Sequence, residues 1–165
     1  MSVIDSMPSR EFVFGGILLL SNKLQITGDG VMEGVTLKQW FLLIMMNILK
    51  EDTGRTELSV TEVAEFTGTS RQNVKKMLDV LLRKGFVTMS PSMRDHRALD
   101  VGLTDRCHEF FARNETVGER FLDKLYGSVS MEDLDTVAKV FRQLFVQLET
   151  MLGGDSDTAG MEIER

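Results

Sequence analysis

Seven lysines and arginines fall between Gly68 and Arg97: Arg71, Lys75, Lys76, Arg83, Lys84, Arg94 and Arg97. Only two acids, Asp79 and Asp95, share that stretch. Cationic side chains of this kind make charge-assisted hydrogen bonds to phosphate. With Gln72 and Asn73 among them, they could also address base edges: Arg and Lys at guanine O6 and N7, Gln and Asn at adenine N6 and N7. The stretch carries a net +5, whereas the whole chain carries −6, which leaves −11 on the rest. A basic patch on an acidic body is the electrostatic footprint of a polyanion binder, and whole-chain charge conceals it. The same charges could be no more than a solvated helix face, so the elements that carry them decide the matter.

Those elements can be read from caps, turns and periodicity. A first helix is expected over residues 9–26, with Phe12, Ile17, Leu18, Leu20 and Leu24 buried; Gly15 and Gly16 inside it, each costing roughly 1 kcal/mol against alanine, would mark a kink or a close helix contact. Thr36 and Gln39 have capping-box spacing and open a second helix, carrying Trp40, Leu43, Ile44, Asn47 and Ile48, that stops near Gly54. Leu58 marks a short strand. Ser59 and Glu62 form a second capping box for a short helix, Gly68-Thr69 a tight turn, and Ser70 the cap of a longer helix ending at Gly85. Strands at 86–89 and 98–103 flank a polar tip and suggest a hairpin. A long helix to about Tyr126 follows, then a last one capped by Ser130 with an apolar stripe at intervals of three and four. The tail at 153–165 is expected to be disordered.

Two helices meeting at a compact corner need a small residue inside the first, a glycine at the turn and a branched apolar anchor on the second. Ala64, Gly68 and Val74 occupy those places, with Val63 beside them. On the second helix Val74, Met77, Leu78 and Leu81 share one face and should be core. Ser70, Arg71, Gln72, Asn73, Lys75 and Lys76 fall elsewhere, toward the N-terminal half that a recognition helix inserts into the major groove. The pattern is a helix-turn-helix followed by a hairpin wing.

Other chemistry is poorly supported. The 165 residues, 42% hydrophobic and 27% charged, suit one globular core. The lone cysteine, Cys107, allows no internal disulfide and no cysteine-based zinc site, and no second cysteine is present to resolve an oxidised one. His96 and His108 lack a cluster of acidic partners, so no metal is expected; His96 reads as a phosphate contact and His108 as a surface residue. There is no paired-carboxylate cleft, no nucleophile–base arrangement and no phosphate-cradling glycine loop, so an enzyme is not expected, nor is a cofactor. The start lacks a signal-peptide pattern, and no apolar run is long enough to span a bilayer; a cytoplasmic setting without membrane contact is expected.

From Thr36 to Cys107 the chain resembles the MarR family of bacterial and archaeal regulators, and the element order extends that likeness to all but the tail. The strongest element is Arg94-Asp95-His96-Arg97-Ala98 followed by Leu103-Thr104, which looks like the family's wing signature. The resemblance implies an α+β, mostly helical fold, with a winged helix-turn-helix domain embedded in a helical dimerisation domain. It places a dimerisation helix and loop at 1–35, the DNA-binding domain at 36–104 and dimerisation helices at 105–152. It further implies a homodimer on a pseudo-palindromic stretch of double-stranded DNA, acting as a repressor by occupancy or aiding polymerase. Arg97 would reach the minor groove, with Arg94 and His96 beside it, and Asp95 would hold the wing in shape. Three departures touch affinity and site preference more than fold. His96-Arg97 replaces paired arginines, Met89 stands where an arginine is common, and Cys107 where a glycine is.

Phe14, Trp40, Phe111 and Tyr126 could line a pocket for a small aromatic effector of the kind this family often binds, although aromatics at helical spacing more often form simple core. The competing class is a winged-helix module that recognises protein instead of DNA. It would show no salt-sensitive DNA affinity.

Overall fold

The computed structural model describes residues 7–92 and 98–153; Arg94, Asp95, His96, Arg97 and the tail from 154 onward lie outside the described residues. Helix α1 (Ser9–Gly28) precedes α2 (Leu37–Thr53), strand β1 (Glu57–Ser59), α3 (Val60–Phe66) and α4 (Arg71–Arg83). Then come β2 (Val87–Pro91), β3 (Leu99–Leu103), α5 (Asp105–Tyr126) and α6 (Met131–Gly153). The expected order of elements holds throughout.

Local chemistry sets most of the boundaries. The Thr36 hydroxyl accepts from the Gln39 amide at 3.3 Å, and the Gln39 side chain accepts from the Thr36 amide at the same distance, which closes the capping box of α2. Ser59 and Glu62 do the same for α3, at 3.1 and 2.8 Å. Ser70 caps α4 by accepting from the Asn73 amide. Each box satisfies amide donors that the first helical turn leaves without intrahelical partners.

The sheet has the order β1-β3-β2, antiparallel throughout. Val87 faces Leu103 and Pro91 faces Leu99 in the hairpin, and Leu58 faces Val101 on the other side. Beyond the ladder the Ser92 amide donates to the Ala98 carbonyl at 3.0 Å, so the two strands stay together up to the tip. Thr104 pins the hairpin's exit. Its hydroxyl donates to the Gly85 carbonyl at 2.7 Å, and its amide donates to the Phe86 carbonyl at 3.1 Å. The Leu-Thr pair legible in the sequence is therefore the joint between wing and α5.

The core lies between α2, α3, α4, the sheet and the start of α5. Leu42, Leu43 and Met46 from α2 meet Leu58, Val63, Ala64, Val101 and Phe110 there. Val74, Leu78 and Leu81 of α4 are fully buried, and Met77 packs half-buried at the edge. Burial of side chains this size stabilises by about 1.5–3 kcal/mol each, enough to fix which face of α4 points inward. Gly118 of α5 is buried against Trp40; a Cβ there would lie 3.2 Å from the indole ring, which would have to shift by a few tenths of an ångström to admit it.

The described residues up to Phe121 and those from Leu122 on form two compact units. In the second, the Ser130 hydroxyl accepts from the Asp133 amide and caps α6, whose apolar stripe is largely exposed. In the first, α1 departs from expectation. Phe12, Ile17, Leu18 and Leu20, expected to be buried, are 40–58% exposed. The helix is apolar on nearly every side between Phe12 and Leu20, and Gly28, in its last turn, is buried against Leu37 of α2. A Cβ at Gly15 or Gly16 would meet nothing within 4 Å among the described residues, and α1 runs through them without interruption.

Candidate nucleic-acid interface

The helix-turn-helix corner is built as its residues require. Val63 and Ala64 are buried on α3, which lets α4 cross closely, and Val74 anchors α4 from the other side. Between them Gly68 takes φ +63°, a left-handed conformation that side chains with a Cβ adopt only at a cost. The Gly68 amide donates to the Glu65 carbonyl and the Thr69 amide to the Ala64 carbonyl, both at 3.1 Å, so the reversal leaves neither donor unmatched.

Packing Val74, Leu78 and Leu81 inward turns the other face of α4 to solvent. Ser70, Arg71, Gln72, Asn73 and Lys76 are exposed at its N-terminal end. Lys75 is half-buried and paired with Asp79 one turn on. Arg71, Gln72, Lys75 and Lys76 line one side of an open groove of about 480 Å³, Val60 and Thr61 of α3 another, and Ala98 and Leu99 at the base of the wing a third. Residues far apart in sequence thus converge on one cationic, amide-bearing surface beside the hairpin. Thr61 was not singled out from the sequence, although its place just after the Ser59 cap was the available signal. Lys84, counted in the basic stretch, is turned elsewhere: its ammonium donates to the Gly34 carbonyl and the Gln39 side chain.

An ion pair ties the turn before β1 to the first turn of α3. Arg55 bonds Glu62, whose other oxygen accepts from the Ser59 amide. The Arg55 guanidinium holds the Glu62 carboxyl down at about pKa 2, with partial burial opposing it and the Ser59 hydrogen bonds assisting.

The remaining sequence candidates fall as follows. Phe14 is 71% exposed on α1. Trp40 is half-buried against Gly118 and Met32. Phe111 is half-buried with its ring 6.3 Å from that of Phe110. Tyr126 is exposed at the end of α5. Cys107 is fully buried, and burial pushes its thiol up to about 12, against the smaller pull of Lys50. A thiol in that state is protonated at neutral pH and a poor nucleophile. His108 is half-buried, with Nε2 3.4 Å from the Lys50 ammonium, instead of free on the surface as expected. Among the described residues no group of three or more His, Cys, Asp or Glu side chains is placed to hold a metal ion. Among them, too, no helix is long and apolar enough to cross a membrane.

A corner of two helices, the second of them cationic, and a β-hairpin at its side define a winged helix-turn-helix protein. Residues 33–98 match the family model described as MarR family, and over that segment the chain is similar to the MarR family. It is 27% identical over 109 residues to the transcriptional repressor MprA of Escherichia coli; that match covers 66% of this chain and 62% of MprA, less than two thirds of its length. It is also 27% identical over 143 residues to the transcriptional activatory protein BadR of Rhodopseudomonas palustris, covering 85% of this chain and 78% of BadR. Among solved structures, an S. aureus MepR–DNA complex superimposes with a TM-score of 0.69 at 17% identity, over 86% of this chain and 99% of MepR. At that identity the likeness speaks for the fold.

Proposed function

We propose that the protein is a transcriptional regulator that binds a pseudo-palindromic DNA operator as a homodimer. The observation that carries this reading is the exposed run Ser70–Asn73 with Lys76, of which Arg71, Gln72 and Lys76 line one groove with the base of the wing. Arg71, Gln72, Asn73 and the neighbouring lysines would divide between base edges and phosphates of the major groove. Arg94, His96 and Arg97, which lie outside the described residues, would contact the adjoining minor groove, with Asp95 holding the wing in shape. The relatives support the reading from both signs of regulation, since one is named a repressor and the other an activatory protein.

The second copy of the chain is the partner that suits α1. Phe12, Val13, Phe14, Leu18, Leu19 and Leu20 are each more than 40% exposed, a density of apolar side chains that water does not favour. Two-fold pairing would bring two α4 helices to successive half-sites. A small aromatic effector held near Trp40 and Phe111 would shift the population between spacings of those helices. A structural neighbour is named for organohalide sensing and was solved with 2,4-dichlorophenol bound. A protein reading chromosomal DNA would act in the cytoplasm.

The test is selection of bound fragments from sheared genomic DNA by the purified protein. Enrichment of one site with half-sites about one helical turn apart is expected. Recovery of background only, from folded dimer, would transfer the winged helix to a protein partner. On the recovered operator, Arg97→Ala should weaken binding by about 1–3 kcal/mol with the dimer intact. Unchanged affinity would remove Arg97 from the interface.

A further inference from the structure

Lys84 is the last cation of α4 and the one that leaves the basic surface. It sits at the helix C-cap, where carbonyl dipoles favour a positive charge. Its ammonium lies 2.6 Å from the Gly34 carbonyl and 3.0 Å from Gln39 Oε1, fifty and forty-five positions back in the chain. Gly34 belongs to the loop joining α1 to α2, and at φ +82° it holds a conformation that few other residues adopt. Gln39 Oε1 also accepts from the Thr36 amide, so a single oxygen serves both the α2 capping box and Lys84. The start of the same loop is tied from the other side, where the Asp29 carboxylate accepts from the Leu37 amide at 2.8 Å.

We propose that Lys84 is a positioning residue for DNA recognition, acting as a latch between the C-terminal end of α4 and the α1–α2 loop. The inference rests on the DNA-binding reading and deepens it. The latch acts at one end of a rod whose other end reads DNA. Arg71 and Arg83 are separated by about 18 Å along the axis, so a tilt of roughly 5° about the latched end moves the reading end by about 1.6 Å. Displacement on that scale exceeds the tolerance of a preorganised set of contacts. The core residues Val74, Leu78 and Leu81 hold α4 laterally; Lys84 ties its end to the segment that leads from α1 into α2. Movement of α1 is thereby communicated to the reading helix through a hydrogen-bonded strap.

The experiment uses the full chain, with Lys84→Met, which keeps the stem and removes the ammonium, Lys84→Arg, which restores a donor, and Lys76→Ala for comparison. Without DNA, amide hydrogen exchange is followed in residues 29–40 and 81–86. The latch requires faster exchange in both segments for Lys84→Met and recovery in Lys84→Arg. Exchange unchanged in either segment overturns it, whether or not the protein binds DNA. On the operator fragment recovered by genomic selection, Lys84→Met should weaken binding about threefold to tenfold, in line with the loss of one or two hydrogen bonds. The slope of log affinity against log salt should stay unchanged, because no phosphate contact is lost. Lys76→Ala should reduce that slope by about one. A reduced slope for Lys84→Met would make Lys84 a phosphate contact, and unchanged affinity would deny it a positioning role. If the unaltered protein binds no DNA at all, the DNA reading fails and with it the positioning role, while the exchange measurement still decides whether the latch exists.

Discussion

Helices α1 and α4 are both rich in leucine and valine, yet they dispose of them in opposite ways. In α4 the buried side chains Val74, Leu78 and Leu81 share one face and vanish into the core, and the face with Arg71, Gln72 and Lys76 is left for a partner. In α1 the apolar side chains run almost unbroken from Phe12 to Leu20, and Phe14, Leu18 and Leu20 stay more than half exposed. A helix whose pattern has a polar half carries the instruction for its own orientation. A helix apolar all round carries the need for burial but not its direction, which only a neighbour can supply. In the reading proposed above, α4 faces DNA because its own chain orients it, and α1 waits on a second copy.

Substitutions separate the two cases. The largest effect on the folded chain is expected at α4: Leu78→Ala should lower stability by about 3–4 kcal/mol, since a fully buried leucine leaves a cavity that the core cannot close. Calorimetry should register this as a fall in Tm of roughly 10 °C. A fall of a degree or two would mean that α4 is held by something other than this face.

Phe14→Glu combined with Leu18→Glu, one turn apart on α1, should leave the winged-helix core folded and weaken self-association by about 100-fold, equivalent to roughly 3 kcal/mol. Sedimentation at graded concentration measures it, and an undiminished dimer would move the interface away from α1. Smaller again is Gly68→Ala. The left-handed turn at φ +63° makes a Cβ cost about 1–2 kcal/mol, read as lower stability toward urea. No loss would show that the corner can relax into a right-handed turn.

What was legible in the sequence was local. Thr36 with Gln39, Ser59 with Glu62, and Ser70 announce helix starts because a capping side chain and its amide partner lie three residues apart, and each forms as expected. Ala64, Gly68 and Val74 were legible because a steep corner restricts those positions sterically. The pairing of Glu57–Ser59 with β3 was not, since a three-residue strand has too little pattern to specify a partner more than forty residues away. Lys84 was counted as part of the basic surface, because charge along a sequence says nothing of where a long flexible stem will lead. The exposure of α1 was missed for a related reason: periodicity reports that apolar residues recur, not that the same chain covers them. Of the interface, the α4 residues stand on the expected face, while Thr61 joins the groove only through the crossing of α3 and α4.

The smallest effect tests the ion pair at the first turn of α3. Glu62 is held near pKa 2 in the folded chain, from an ordinary 4.5, chiefly by Arg55. A carboxyl depressed by folding stabilises fully above its unfolded value, and that stabilisation drains as pH falls from about 4.5 toward 2. With 36% of the side chain still exposed, water screens the pair, and its contribution should be about 1 kcal/mol or less. Glu62→Gln should therefore be slightly less stable than the parent at pH 6, and the two denaturation curves should converge as pH approaches 2. Curves that stay parallel across that window would show the ion pair to be idle. The α3–α4 corner would then rest on the Ser59 cap, on Gly68 and on the burial of Val63, Ala64 and Val74, which is the same apolar logic that α1 lacks within its own chain.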